Sequence, residues 1–337
     1  VSGRAGDFRI ATFNLENLGG TEPDGGAEID RRIAALRPLL DALDADVLCL
    51  QEINGQRPAD GGPRRLLALD RLLAESRYAG FHRAASGSVH PEHGAADRHN
   101  LAILSRWPLH DVRQIRHETV PPVAYRPVTA DPPPDGAQPL TWDRPILAAR
   151  TDPPDGASLH LVNLHLRAPL AAYVPGQKDG GRWRSVPGWA EGFFVAAVKR
   201  VQQAMAARLE VDRLLDADPR ARICVAGDCN AEAREMPLRV LRADPDDVEA
   251  PGLAWRSLSA LDDHVPHARR YTLLHGGRRL MLDHLLASRA LAATCRDVAV
   301  HNDGLLDEVA AAQADKPPLQ SFHAPVVAAF TPGDRPR

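Results

Sequence analysis

Eight short apolar runs, each cut off at once by polar residues, constrain this 337-residue chain more than any other feature. They read FRIATF (8–13), DVLCL (46–50), LAILS (101–105), PILAAR (145–150), LHLVNLHL (159–166), RICVAG (222–227), DHLLAS (283–288) and PVVAAF (325–330). Runs of that length bounded by turn formers are the signature of buried strands. Between some of them lie stripes of helical period, one made by Ile33, Leu36, Leu40 and Leu43, another by Val198, Val201, Met205 and Leu209. The layout is mixed α/β, with helices covering sheets. Residues 121–139 hold seven prolines and residues 173–189 are irregular, so both read as surface or functional loops. Strand signals resume with the same character on both sides of each. The expected organisation is one domain over residues 8–331 between short tails at 1–7 and 332–337, with no internal repeat.

Composition narrows the classes. A hydrophobic content of 44% fills a sizeable core, and the apolar runs fall short of the roughly 20 residues that a membrane span needs. A net charge of −3 and a pI near 6.6 exclude a protein that grips nucleic acid by phosphate neutralisation alone, though not a local basic groove. The opening VSGRAGDFRI lacks the pattern of a signal peptide, which makes the expectation cytoplasmic, or secreted if a leader has been removed. Three of the four cysteines, Cys49, Cys224, Cys229 and Cys295, lie in or beside strand-like runs. Buried free thiols are expected rather than a disulfide framework or a zinc site.

The chemistry sits where the runs end. Asn14 follows RIATF, Glu52 follows DVLCLQ, and Asn163 and His165 interrupt LHLVNLHL. Asp228 and Asn230 follow RICVAG, while Asp283 and His323 introduce the last two runs. Any one of them has an ordinary reading as a turn residue, a helix-starting acid or a satisfied core histidine. Together they supply hard oxygen ligands, an Asp/Asn pair able to orient a water, and two imidazoles, which is the set that phosphoester hydrolysis requires. In VAGDCNAEA (225–233) Gly227 is expected to permit a sharp exit from the strand. A still extended backbone would then send Asp228 and Asn230 to one side, the alternative being an Asx turn that caps a helix.

The ordered series TFN (12–14), LQE (50–52), LAILSR (101–106), VNLHL (162–166), AGDCN (226–230), LDHLL (282–286) and SFHAP (321–325) resembles the endonuclease/exonuclease/phosphatase superfamily. The resemblance runs from about residue 8 to residue 330. It implies a deoxyribonuclease I-like fold of four layers, two packed mixed β-sheets with helices on their outer faces, and an active site at one rim. It implies a divalent cation, Mg²⁺ or else Mn²⁺ or Ca²⁺, with Glu52 as direct ligand and Asn14 beside it. By the same resemblance Asp228 orients or deprotonates the attacking water, Asn230 holds that water or a phosphate oxygen, and Asp283 fixes His323 against the phosphate. His165 matches the NxHL motif and is expected to be a second cationic donor. Arg144, in TWDRPIL, matches a phosphate-contacting arginine, with a surface salt bridge as its alternative reading, and Asn163 supports the rim and the substrate.

One departure stands out. The family's last motif usually reads SDH, and here Phe322 takes the place of the aspartate, which puts a second metal site in doubt and raises the reading of a non-catalytic metal- or phosphate-binding relative. Retention of the other site residues favours an enzyme. The expected activity is hydrolysis of a phosphodiester, as a nuclease or a small-molecule phosphodiesterase, with a phosphomonoesterase or lipid-headgroup hydrolase as the alternative. Residues 173–194 interleave Tyr173, Trp183, Trp189, Phe193 and Phe194 with Lys178, Arg182 and Arg184, a composition suited to stacking bases or to plain packing. Oligomeric state is not fixed by the sequence.

Overall fold

The computed structural model describes residues 7–20, 26–314 and 318–332. Of the expected tails, residues 1–6 and 333–337 lie outside the described residues. Two six-stranded mixed sheets pack face to face. The first holds β1 (Phe8–Leu18), β2 (Val47–Ile53), β3 (His82–Ala85) and β4 (Asn100–Ser105). The second holds β5 (Leu109–Ile115), β6 (Ile146–Thr151), β7 (Leu159–His165), β8 (Arg222–Asp228), β9 (Leu258–Ala260) and β10 (Asp283–Ser288). The chain then returns to the first sheet with β11 (Cys295–Val300) and β12 (Val326–Phe330). Strand order is β11-β12-β1-β2-β4-β3 in one sheet and β9-β10-β8-β7-β6-β5 in the other. The eight apolar runs become the eight inner strands, and the four strands without such a run are the four edges.

Each sheet has one parallel pair at its centre, β1 with β2 and β7 with β8, and antiparallel pairs elsewhere. A parallel pair needs a crossover, here α1 (Gly26–Leu43) for the first and α3 (Val186–Ala217) for the second; α2 (Leu67–Ala74) lies between β2 and β3. Ile33, Leu36, Leu40 and Leu43 form the buried stripe of α1, as expected. In α3 the expected stripe is on the wrong face: Met205 is 41% exposed, and the face against the sheet is Ala204, Ala207, Val211, Leu214 and Leu215. Alanines let that helix lie close to the strands, so bulk alone misassigns the face. The helix is also longer than the stripe, 32 residues, and takes in GWAEGFF, while residues 178–183 form a small hairpin.

Between the sheets the side chains alternate with a period of two, and their character changes along each strand. The inward series runs Phe8, Ile10, Thr12, Asn14 on β1; Val47, Cys49, Gln51 on β2; Leu159, Leu161, Asn163, His165 on β7; and Cys224, Ala226, Asp228 on β8. The core is apolar at the start of these strands and polar at their carboxyl ends. The transition is a buried bridge between sheets: Gln51 Nε2 donates to Asn163 Oδ1 at 2.8 Å, and Asn163 Nδ2 donates to the Leu50 and Ala102 carbonyls at 3.0 and 2.9 Å. Beyond it the inter-sheet space is a cluster of charge. Cys49, Cys224 and Cys229 are buried free thiols that burial pushes up, Cys49 to about 12, so they stay neutral.

Candidate active site

Register places the central groups side by side. Asp228 ends β8 opposite His165 on β7 and opposite Asp283 on β10, so three polar side chains stand in one row across the second sheet. Asn14 and Glu52 face them from β1 and β2. Glu52 has φ +57° at a register shift in β2, a bulge that turns its carboxylate toward the row. Positive φ at non-glycine residues is unusual, and of nine such positions among the described residues Glu16, Asn17, Glu52, His99 and Asn230 all border this cluster.

The turn after β8 differs from an extended exit. Gly227 has φ +142° and lies so close to β7 that a Cβ there would meet the Leu164 carbonyl oxygen at 1.9 Å, so glycine is required by close approach within the sheet. Asn230 is left-handed, with φ +47°, and its N–H donates to Asp228 Oδ1 at 2.8 Å. That is an Asx turn, and it shapes the site rather than capping a helix, since the next helix starts at Met236. Asn230 Nδ2 donates to the Leu166 carbonyl at 3.0 Å and to Asp228 Oδ2 at 3.2 Å. The carboxamide therefore orients Asp228, with both amide hydrogens spent.

Asn14 is reassigned by its hydrogen bonds. Its Nδ2 donates to Glu52 Oε1 at 3.2 Å and to Asp228 Oδ2 at 3.0 Å, while its Oδ1 accepts the Glu16 N–H at 2.9 Å. The oxygen that would ligate a metal is turned to backbone, so Asn14 spaces the two carboxylates. Asn163 is likewise corrected: it lies in the bridge beneath the site, fully buried, with no donor left for substrate. His165 sits deeper than a cationic donor should. Its Nε2 lies 3.4 Å from Asp228 Oδ2 and 3.6 Å from Glu52 Oε1, its Nδ1 is buried without a partner, and burial together with Arg144 holds it well below the usual imidazole range. It is a neutral ring.

The other imidazole behaves differently. His323 Nδ1 lies 2.8 Å from Asp283 Oδ2 and its Nε2 lies 4.0 Å from Asp228 Oδ2. Burial opposes its charge, yet the two carboxylates override that and hold His323 well above the usual range, as a cation. Asp228 is raised to about 7, first by burial and then by Asp283 beside it. Arg144 is buried, not a surface residue; its Nη1 has no partner, burial pushes it down, and Glu52 and Asp228 pull it back. Ser321 holds the last segment in place, donating to the Asn14 carbonyl at 2.8 Å and accepting the His323 N–H at 3.0 Å.

Sequence reasoning missed two neighbours. Glu16 is half-buried and raised by burial, in the electrostatic reach of His323 and Glu52. It adds a carboxylate to the cluster, and its signal was the spacing Asn14-x-Glu16. His99 places Nε2 3.0 Å from Asn17 Oδ1 and 3.9 Å from Glu52 Oε2, and is pushed down to about 4 by burial and by Arg144. No pattern in the sequence marked it. Of residues 173–194, Trp183 lies under Lys178 and against Gly192, whereas Trp189 and Phe193 stack on the exposed face of α3.

The residues fit a divalent cation. Glu52, His165 and Asp228 each offer a ligand atom, and the three atoms lie within 4.8 Å of one another. Glu52 and Asp228 are hard oxygen donors and His165 a neutral nitrogen donor, the ligand types that suit such an ion.

The model of the endonuclease/exonuclease/phosphatase family matches residues 11–305. The chain belongs to that family. Its members are phosphoesterases that use divalent metals, and the cluster above is the candidate place for such an ion in this chain. Solved structures with the same fold include truncated TDP2 from Caenorhabditis elegans, at 14% identity and TM-score 0.55, covering 97% of this chain and 98% of that one. An AP endonuclease from Archaeoglobus fulgidus matches at 17% identity and TM-score 0.52, covering 96% and 99%. The 3'-5' exonuclease NExo from Neisseria meningitidis matches at 18% and 0.51, again covering 96% and 99%. No curated protein matches the chain. Among the described residues no helix is long and apolar enough to cross a membrane.

Proposed function

We propose that this family member is a divalent-metal-dependent phosphodiesterase, with Mg²⁺ the expected metal and a nucleic acid or a small phosphodiester as substrate. One observation carries the reading: Glu52 from the first sheet meets Asp228 and His165 from the second with ligand atoms within 4.8 Å of one another, Asp228 is shared with the Asp283–His323 pair, and Arg144 has an unpartnered Nη1.

The division of labour follows from charge. A phosphodiester is an anion that repels hydroxide, so the attack needs its oxygens neutralised as charge builds. Glu52, with Asp228 and His165 close by, would hold a divalent cation, which would supply that neutralisation as a Lewis acid. Arg144 and the His323 cation bind the remaining phosphate oxygens. Asp228, raised toward neutrality and fixed by Asn14 and Asn230, orients the water and takes its proton. Asp283 keeps His323 in one orientation, with Nδ1 bonded and Nε2–H free. Glu16 adds a carboxylate in the electrostatic reach of Glu52 and His323, which favours an active enzyme over a binding relative despite Phe322.

The test compares bis(p-nitrophenyl) phosphate with p-nitrophenyl phosphate in Mg²⁺, Mn²⁺, Ca²⁺ or chelator. A diester preference that needs metal and falls about 10²–10⁴-fold in Asp228→Asn supports the reading. Preference for the monoester would replace it with a phosphatase, and absence of turnover with every metal would replace it with a binding role.

A further inference from the structure

Behind the Asp228 loop lies a charged side chain that the hydrolysis does not use. His284 follows Asp283 on β10, so it points to the opposite face of the second sheet, where it is fully buried. Its Nδ1 lies 3.1 Å from Asp262 Oδ1, and its Nε2 lies 3.0 Å from the Ala231 carbonyl and 3.1 Å from the Met281 carbonyl. All three partners are acceptors. A neutral imidazole has one N–H, so either tautomer would press a bare ring nitrogen against a buried oxygen; only imidazolium satisfies every contact. Burial opposes the charge, Asp262 overrides it, and His284 is raised to about 8.

The ring joins the two segments that carry the site. Ala231 follows Asn230 directly, Met281 stands two residues before Asp283, and the Cys229 N–H donates to the Leu282 carbonyl at 2.8 Å. Asp262 is itself 2% exposed, so the ion pair is sealed from water. We infer that His284 is a positioning residue: a buried imidazolium seated on Asp262 that clamps the Asp228–Asn230 turn to the strand bearing Asp283, and so aims the carboxylate that orients the water. The inference rests on the role proposed above for Asp228.

Three variants test it with bis(p-nitrophenyl) phosphate in Mg²⁺, per folded molecule. His284→Phe removes charge and donors, and kcat is expected to fall about a hundredfold while KM stays within about threefold, since Arg144 and His323 are untouched. His284→Gln keeps an N–H toward Ala231 and is expected to recover about tenfold of that loss. Asp262→Asn, a milder change should the Phe variant fail to fold, is expected to lower kcat about tenfold. Full kcat in folded His284→Phe or Asp262→Asn, with only a lower Tm, would make the pair merely structural and overturn the clamp. A separate arm needs no turnover: ¹⁵N spectra of histidine-labelled wild type are expected to show one ring, absent in His284→Gln, protonated at both nitrogens at pH 7. A neutral ring there would overturn the clamp even if the wild type hydrolyses the diester. A doubly protonated ring in an inactive wild type would uphold the buried ion pair but overturn its aiming role together with the phosphodiesterase reading.

Discussion

At the scale of single residues the site is a set of arguments between burial and charge. Asp228 is buried and His323 half-buried, and both are shifted upward, yet the outcome differs: burial makes the carboxyl harder to ionise, while Asp283 keeps the imidazole charged. The His284–Asp262 pair permits a prediction on stability. His284 is raised above its ordinary 6.5, so its contribution is complete below that value and is lost as pH rises through about 8. Asp262 is depressed, because His284 outweighs its burial, so its contribution is present above 3.8 and lost as pH falls below that. Urea unfolding at pH 6 and pH 9 is expected to show an alkaline loss in wild type that is smaller in His284→Gln; equal losses would contradict it. Most site residues were legible because each ends, interrupts or introduces an apolar run. Their roles were less so. Whether Asn14 offers its oxygen or its nitrogen depends on who faces it, and a left-handed φ at Asn230 or Glu52 leaves no trace in residue type.

At the scale of elements, the inner strands announce themselves because both faces and both edges are buried. The edge strands do not. β5 reads LHDVRQI and is largely exposed, and β3 and β9 are three or four residues long, so neither an apolar run nor a clear alternation marks them. Tight contact between elements is equally silent in a pattern search. Gly227 is required because β7 passes against it, and Gly227→Ala would drive a Cβ into the Leu164 carbonyl at a φ of +142°. That substitution is expected to cost about 3 kcal/mol or more, read by denaturant unfolding, and to distort the Asp228 turn. A loss under about 1 kcal/mol would mean that β7 and β8 can part there without consequence.

At the scale of the whole molecule, two sheets with a shared plan enclose a space whose character changes from one end to the other. The Gln51–Asn163 bridge marks the change, and it ties the sheets together just below the charged cluster. Asn163→Leu removes the donors to the Leu50 and Ala102 carbonyls and the acceptor of Gln51, at about 1 kcal/mol each, and is expected to lower stability more than activity per folded molecule. The converse result, normal stability with lost turnover, would return Asn163 to substrate binding. That far-apart segments meet here was readable from the order of the motifs; which face of α3 packs was not, because alanine carries little hydrophobic signal. The most direct measurement is metal-dependent hydrolysis of bis(p-nitrophenyl) phosphate by two variants, one from each sheet, Glu52→Gln and Asp228→Asn. Both are expected to fold and to lose at least about 10² in kcat/KM, with wild-type turnover abolished by chelator. Undiminished turnover in either variant would contradict a single site shared by the two sheets.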